Sequence, residues 1–261
     1  MSRSFHPPAS AMLFAVNGMP QVQPDDDIAE LILGALADEG RQLISGDIIV
    51  IAQKIISKSE NRYVTLDSVT PSLDALKLAQ ETGKDPRIIE LILSESTEVM
   101  RARPGLIIVR HRLGFVLANA GIDQSNIPSG ENGDTVLLLP EDPSASCRQI
   151  KQCLKQRIGA DVAVVINDSI GRAWRLGTVG TAIGSAGLSM LIDLRGRPDL
   201  YGRPMKTSMT AIGDQVASMA SLMQGECDEG NPVVVCRGFG AFLGDGATES
   251  LVRPIHEDLF Q

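Results

Sequence analysis

The sequence predicts a mixed α+β fold, and three observations carry that expectation. Runs of Ile and Val at 48–51 and 162–166 are continuous enough to be strands buried on both faces. Segments with apolar residues at helical spacing lie between such runs, so helical and extended signals alternate along the chain. Two further apolar runs, Leu106 to Val109 and Phe115 to Leu117, are separated only by His111 to Gly114, which reads as a turn. That hairpin argues against a purely parallel sheet, so mixed sheets are expected.

Taken in order, Asp25, Asp26 and Asp27 precede Ile28, Leu31, Ile32, Ala35 and Leu36, the pattern of a capped amphipathic helix, with Gly40 closing it. Gly46-Asp47 then leads into the strand Ile48 to Ala52, which delivers Gln53, Lys54, Ser57 and Lys58 at its end. A helix is expected from about Asp85 to Met100, followed by the hairpin. Ser129 to Gly133 reads as a polar loop. Pro140-Glu141-Asp142-Pro143 punctuates the chain before a helix with Ile150, Leu154 and Ile158 along one face. The strand Val162 to Ile166 follows and presents Asp168 where it stops. Gly177, Gly180, Gly184, Gly187, Gly196 and Gly202 are too many for regular structure and imply close backbone approaches or ligand loops. A last helix, Ala211 to Met223, runs into Gln224 to Gly230, and Pro232 to Cys236 is the final strand.

A chain of 261 residues can bury a sizeable core and falls between one large domain and two small ones. Hydrophobic residues at 43% and charged residues at 21% are those of an ordinary globular protein. The formal net charge of -8 argues against duplex DNA or an anionic membrane as partner, yet leaves room for a local basic pocket. The four cysteines, Cys147, Cys153, Cys227 and Cys236, show no metal-binding spacing and no disulfide density, which points to a reduced compartment. Neither a signal peptide nor a run of ~20 apolar residues is apparent, so a cytoplasmic protein is expected.

Two acidic segments carry the chemistry. They are Ala118 to Asn126, containing Asp123, and Asn167-Asp168-Ser169, each following an apolar run. Alone, either aspartate fits a turn-capping carboxylate. Together, with Ser125, Asn126, Asn167 and Ser169 beside them, they form two oxygen-rich loops that could converge on magnesium or manganese. Arg172 and Arg175 flank the only Trp and suit phosphate or carboxylate. Lys54 and Lys58 fit either a solvated surface or a phosphate site. Glu226, Asp228 and Glu229 fit a helix stop, a metal loop or a guanine-binding loop. Gly202 to Ser208 lacks Walker spacing, and Gly238 to Gly244 lacks a dinucleotide fingerprint. His6, His111 and His256 share no spacing with a nucleophile, and Met219 and Met223 fit a helix core. From residues alone, a metal-dependent phosphohydrolase or nucleotidyltransferase and a nucleotide-sensing module without turnover both remain open.

Five segments are more specific: Gly46 to Lys58, Ala118 to Asn126, Leu138 to Pro143, Asp168 to Arg175, and Asp193 to Arg203. On these the chain, from about Asn17 to Gly238, resembles the coenzyme F420:L-glutamate ligase family, which adds γ-linked glutamates to a deazaflavin coenzyme precursor. The resemblance implies a single ligase unit over 1–261, with two subdomains and mixed sheets, and no C-terminal reductase-like domain. It implies an intertwined homodimer that takes GTP, L-glutamate and the F420-0 precursor. Each active site would hold two divalent cations, Mg2+ or Mn2+, with a potassium ion allowed beside them. Carried over by position, the metal ligands are Asp123, Asp168 and Ser169, with Gly225 or Glu226 adding an oxygen. The nucleotide contacts are Met19, Pro20, Gln21, Val22, Gln53, Lys54, Lys58, Asn126, Met223, Gln224, Gly225, Glu226, Cys227, Asp228, Glu229 and Gly230. Asp123, Asp168, Lys58 and Arg172 are the expected catalytic groups, acting through an acyl phosphate. The chain departs from the family pattern at Ser169, usually Thr, at Gln224, usually Met, and at Met19, usually Leu.

Overall fold

The computed structural model of the chain describes residues 8–127 and 134–259. The expected loop at Ser129 to Gly133, and His6, lie outside the described residues.

The first half contains β1 (Met12–Ala15), α1 (Ile28–Asp38), β2 (Ile48–Ala52), α2 (Gln53–Ser59), β3 (Tyr63–Thr65), α3 (Leu73–Thr82), α4 (Pro86–Ser94), β4 (Ser96–Arg103), β5 (Leu106–His111) and β6 (Val116–Ala118). The second contains β7 (Thr135–Leu137), α5 (Pro143–Ile158), β8 (Ala163–Arg172), β9 (Arg175–Ala186), β10 (Leu191–Asp193), β11 (Met209–Ala211), α6 (Ile212–Gln224) and β12 (Val233–Arg237). The mixed α+β class holds. A central five-stranded sheet runs in the order β1-β12-β2-β8-β9, and three smaller sheets pair β3 with β7, β10 with β11, and β4-β5-β6. Within the central sheet only β2 and β8 are parallel; every other neighbour is antiparallel.

Alternation along the strands explains the layering. Ile49, Ile51, Val164, Ile166, Val233 and Val235 face one way and meet Ile28, Ile32 and Leu36 of α1 and Cys147, Ile150 and Leu154 of α5. Ile48, Val50, Ala163, Val165, Val234 and Cys236 face the other way and meet Ile212, Val216, Ala217 and Ala220 of α6. Both sheet faces are thus covered, as the unbroken Ile/Val runs require. A separate core joins Ala75, Ala79, Ile89 and Ile92 of α3 and α4 to Ile107 and Val109 of β5.

Helix ends follow local chemistry. Asp27 accepts a hydrogen bond from the Glu30 amide to start α1, and Asp142 does the same for Ala145 at α5, where Pro143 occupies the first turn. Gly159 closes α5 at φ +69°. The buried Asp47 is held in a two-pronged ion pair with Arg237 at 2.9 and 2.8 Å, which clamps the start of β2 to the end of β12.

Four expectations are corrected. The helix expected over Asp85 to Met100 ends at Ser94, and Ser96 onward is β4, because pairing with β5 captures the Thr97-Glu98-Val99 stretch. Ile158 is exposed at the end of α5 rather than on its buried face. The strand leading to Asp168 does not stop there; β8 continues to Arg172 because β9 pairs with it along its full length. The glycines do not all break regular structure, since Gly177, Gly180 and Gly184 lie within β9. Two of them do mark close approach. A Cβ at Gly180 would lie 2.4 Å from the Ala217 carbonyl oxygen, and one at Gly184 would lie 2.6 Å from Pro143.

Candidate active site

The parallel pairing of β2 with β8 ends at Ala52 and Asn167, and a cleft of about 830 Å³ opens there. Ligands collect at such ends because helices start there and the diverging loops leave a crevice. One wall comes from α2, which begins where β2 ends and turns Gln53, Lys54 and Lys58 inward. The segment after β6 supplies Asp123, Ser125 and Asn126; β8 supplies Asn167, Asp168 and Ser169; the loop after α6 supplies Gly225 to Gly230. Met19 to Val22 complete the rim.

Most residues singled out in the sequence therefore share one cleft. Asp123, Asp168, Ser169, Met19, Pro20, Gln21, Val22, Gln53, Lys54, Lys58, Asn126, Gln224, Gly225, Glu226, Cys227, Asp228, Glu229 and Gly230 all line it. Met223 and Arg172 do not. The Met223 carbonyl accepts from Asn231 Nδ2 at 3.3 Å, and the Met223 side chain is exposed rather than in the helix core expected for it. Arg172 lies at the exposed end of the β8–β9 hairpin, and its guanidinium donates to the Leu176 carbonyl at 3.4 Å. Thr178 also lines the cleft, and the sequence reading passed over it. No motif marks it; only the pairing of Thr178 with Gly171 across the hairpin brings it beside Ser169.

Charge within the cleft is arranged around the aspartates. Asp123 accepts from Gln53 Nε2 at 2.6 Å and pairs with Lys54 Nζ at 3.3 Å, while Ser57 Oγ donates to Gln53 Oε1 at 2.9 Å and fixes that amide. Burial raises the Asp123 carboxyl above its ordinary value, against the pull of Lys54 and Gln53. Asp168 is pushed further, to about 7, first by burial and then by the nearby Asp123, with Glu226 adding to the rise; the Ser169 amide and Lys54 oppose it. Burial, then Lys54, lowers Lys58, and Asp123 pulls it back. Across the cleft Ser169 Oγ donates to Glu226 Oε1 at 2.6 Å and Asn126 Nδ2 donates to the Cys227 carbonyl at 3.0 Å; within the loop Glu229 accepts from the Cys227 amide at 2.8 Å.

Two half-buried aspartates, with Asp123 near enough to raise Asp168, beside a glutamate and a hydroxyl, are a hard-oxygen set suited to a divalent cation. Among the described residues no three His, Cys, Asp or Glu side chains already converge at ligand distance. Asp123 is turned instead to Gln53 and Lys54. Asp168 has no side-chain donor among the described residues and fits a cation best.

The pattern that defines the F420-0:Gamma-glutamyl ligase family matches residues 18–238. The chain belongs to that family. It is 45% identical to the coenzyme F420:L-glutamate ligase of Methanothermobacter thermautotrophicus over 251 residues, covering 95% of this chain and 98% of that protein. The enzyme of the same description from Methanopyrus kandleri is 43% identical, covering 92% and 94%, and that of Methanocaldococcus jannaschii is 44% identical, covering 83% and 85%. The protein is thus a ligase, and the family match spans every segment that lines its cleft. No helix among the described residues is long and apolar enough to cross a membrane.

Proposed function

We propose that this ligase joins the amine of L-glutamate to the terminal carboxylate of the F420-0 precursor, with GTP as energy source, and that further γ-linked glutamates follow by the same chemistry. The observation that carries the reading is the convergence in one cleft of Asp123, Asp168 with Ser169, Lys54, Lys58 and the Gly225 to Gly230 loop. A carboxylate and an amine do not condense at useful rates in water, so the acid must be activated. A carboxylate oxygen of the precursor attacks the γ-phosphorus, the bond to the bridging oxygen breaks, and GDP leaves behind an acyl phosphate. The glutamate amine attacks the acyl carbon, the bond to phosphate breaks, and the surplus amine proton passes to solvent. A divalent cation held by Asp123, Asp168, Ser169 and the Gly225 carbonyl would offset charge on the triphosphate.

The chain's own groups position and bind. Lys54 and Lys58 offer donors to phosphoryl and carboxylate oxygens from the α2 wall of the cleft. In the Gly225 to Gly230 loop, Glu226 is engaged by Ser169 and Glu229 by its own loop amide, which leaves Asp228 as the carboxylate to accept from the imino and amino groups of guanine. Trp174 and Leu176, 87% and 99% exposed at the end of the β8–β9 hairpin, support the homodimer, because large apolar groups on a projecting hairpin favour a covered surface. Arg172 on that hairpin would serve a cleft only across such an interface. Sedimentation of the purified protein reads that state directly, and a monomer would remove Arg172 from the reaction. The four free cysteines support a reducing, cytoplasmic setting.

The reading is tested by supplying GTP, glutamate and purified precursor and weighing the product. The expected result is GDP release only when both cosubstrates are present, with the precursor gaining glutamate. GTP consumption without glutamate would convert the reading to a phosphohydrolase. Lys58→Ala is expected to raise the KM for GTP by about 10-fold or more through loss of a charged donor. Steady-state kinetics at varied GTP check it, and an unchanged KM would reduce Lys58 to a buried structural lysine.

A further inference from the structure

Asn167 and Gln224 lie 57 positions apart, yet their side-chain amides face each other in the floor of the cleft. Asn167 Nδ2 donates to Gln224 Oε1 at 2.8 Å, and Gln224 Nε2 donates back to Asn167 Oδ1 at 3.1 Å. The second Gln224 proton reaches the Pro232 carbonyl at 3.4 Å. Both side chains are buried, at 3% and 9% exposure, so the pair is shielded from competing water.

Each partner stands one position before a candidate donor. Asn167 precedes Asp168 on β8, and Gln224 precedes Gly225, where α6 ends and the loop begins. Gly225 takes φ +73° and ψ -177°, a conformation open only to glycine, and a Cβ there would fall 2.2 Å from the Glu229 carboxyl carbon. The loop therefore leaves α6 in one fixed direction, and the only buried side-chain pair tying its root to β8 among the described residues is Asn167 with Gln224. We propose that this reciprocal amide pair is a positioning device that sets the spacing between the Asp168 strand and the Gly225 to Gly230 loop, and so the span offered to the nucleotide. The inference rests on the reading that this cleft binds the nucleotide, but the spacing itself can be measured without one.

The geometry makes a specific demand on variants. Gln224→Met keeps the side-chain length and removes both ends of the pairing, and Asn167→Ala removes the partner. Either leaves a buried amide unpaired, so the double variant should be little worse than one alone. The exchanged pair, N167Q with Q224N, restores two complementary amides of the same combined length. Hydrogen exchange of the ligand-free protein is read at the Gly225 amide, bonded to Ser221 O at 3.1 Å, and at the Cys227 amide, with β12 as internal control. Exchange at those two amides should rise about 10-fold or more in each single variant while β12 is unchanged, and should return toward the parent in the exchanged pair.

In turnover the same singles should raise the KM for GTP about 10-fold while kcat moves less than about threefold. Unaltered exchange at Gly225 and Cys227 in both singles would overturn the proposal. So would an exchanged pair that recovers the melting temperature but neither the exchange rates nor the KM, because the amides would then serve packing alone. Failure of the parent protein to bind GTP would sink the functional reading and leave the exchange experiment to decide the positioning role.

Discussion

Asp168→Asn is expected to reduce glutamate ligation by about 10³-fold or more while making the chelator-treated protein more stable above pH 7. The loss follows from the cleft. Asp168 is a half-buried cleft carboxylate with no side-chain donor among the described residues, and an amide there offers neither the charge nor the second oxygen that a cation needs. The gain follows from the same burial. Its carboxyl titrates at about 7 in the fold, raised by burial and then by Asp123, against an ordinary value of 3.8. Below the ordinary value both folded and unfolded chains hold the proton, and Asp168 does not bias folding. Between 3.8 and about 7 the unfolded chain releases its proton while the folded one keeps it, so stability falls as pH rises, and the cost is complete above about 7. The shift bounds that cost at about 4 kcal/mol, and about 2 kcal/mol is expected once the cleft relaxes. Thermal melts of both proteins in chelator at pH 4 and pH 8 check it. Equal melting temperatures at pH 4, with the variant higher at pH 8, are the expected pattern, and a variant that still ligates glutamate at the parent rate would remove Asp168 from the chemistry.

How much of this was legible in the sequence depends on whether the deciding contact is local. The α1 helix could be read because Ile28, Ile32 and Leu36 carry a 3.6-residue period and Asp27 caps it from the adjacent turn. The β2 strand could be read because only a doubly covered strand needs Ile48 through Ile51 unbroken. The end of α4 could not. Ser94 and Glu95 carry no glycine or proline to stop a helix, and the switch to β4 is made by pairing with β5, beyond a turn still to come. Asn167 to Ser169 suggest a loop because they follow the apolar run Val162 to Ile166, yet they lie inside β8. They do so here because Gln224, far along the chain, satisfies Asn167, and Glu226 receives the Ser169 hydroxyl. The site shows the same division. Its acidic and basic residues could be picked out as chemical types, and the family resemblance gathered them, but no spacing announces that Gln53 donates to Asp123 from 70 residues away.

Gly180→Ala is expected to destabilise the fold by about 3 kcal/mol or more. The added Cβ would lie 2.4 Å from the Ala217 carbonyl oxygen, 2.8 Å from its carbonyl carbon and 2.8 Å from Ser221 Cβ. Two of those atoms are helix backbone, which cannot rotate aside as a long side chain can. Ser218 Oγ also donates to the Gly180 carbonyl at 2.8 Å, so α6 sits on β9 with no layer of side chains between them. Relief requires α6 to lift off the sheet, and that opens the contacts of Val216, Ala217 and Ala220 with the central core. It also draws Gln224, at the end of the same helix, away from Asn167. Gly177→Ala is the control, since a Cβ there meets nothing within 4 Å and only the φ of +84° opposes it. That strain is worth about 1–2 kcal/mol. For a chain of this size each kcal/mol moves the melting temperature by about 2–4 °C, so Gly180→Ala should melt about 6–12 °C below the parent and clearly below Gly177→Ala. Equal melting temperatures for the two variants would mean that the sheet and α6 are free to part at Gly180. Direct backbone contact would then have to be replaced by a yielding one, and α6, which carries the root of the loop, would lose its fixed seat on β9.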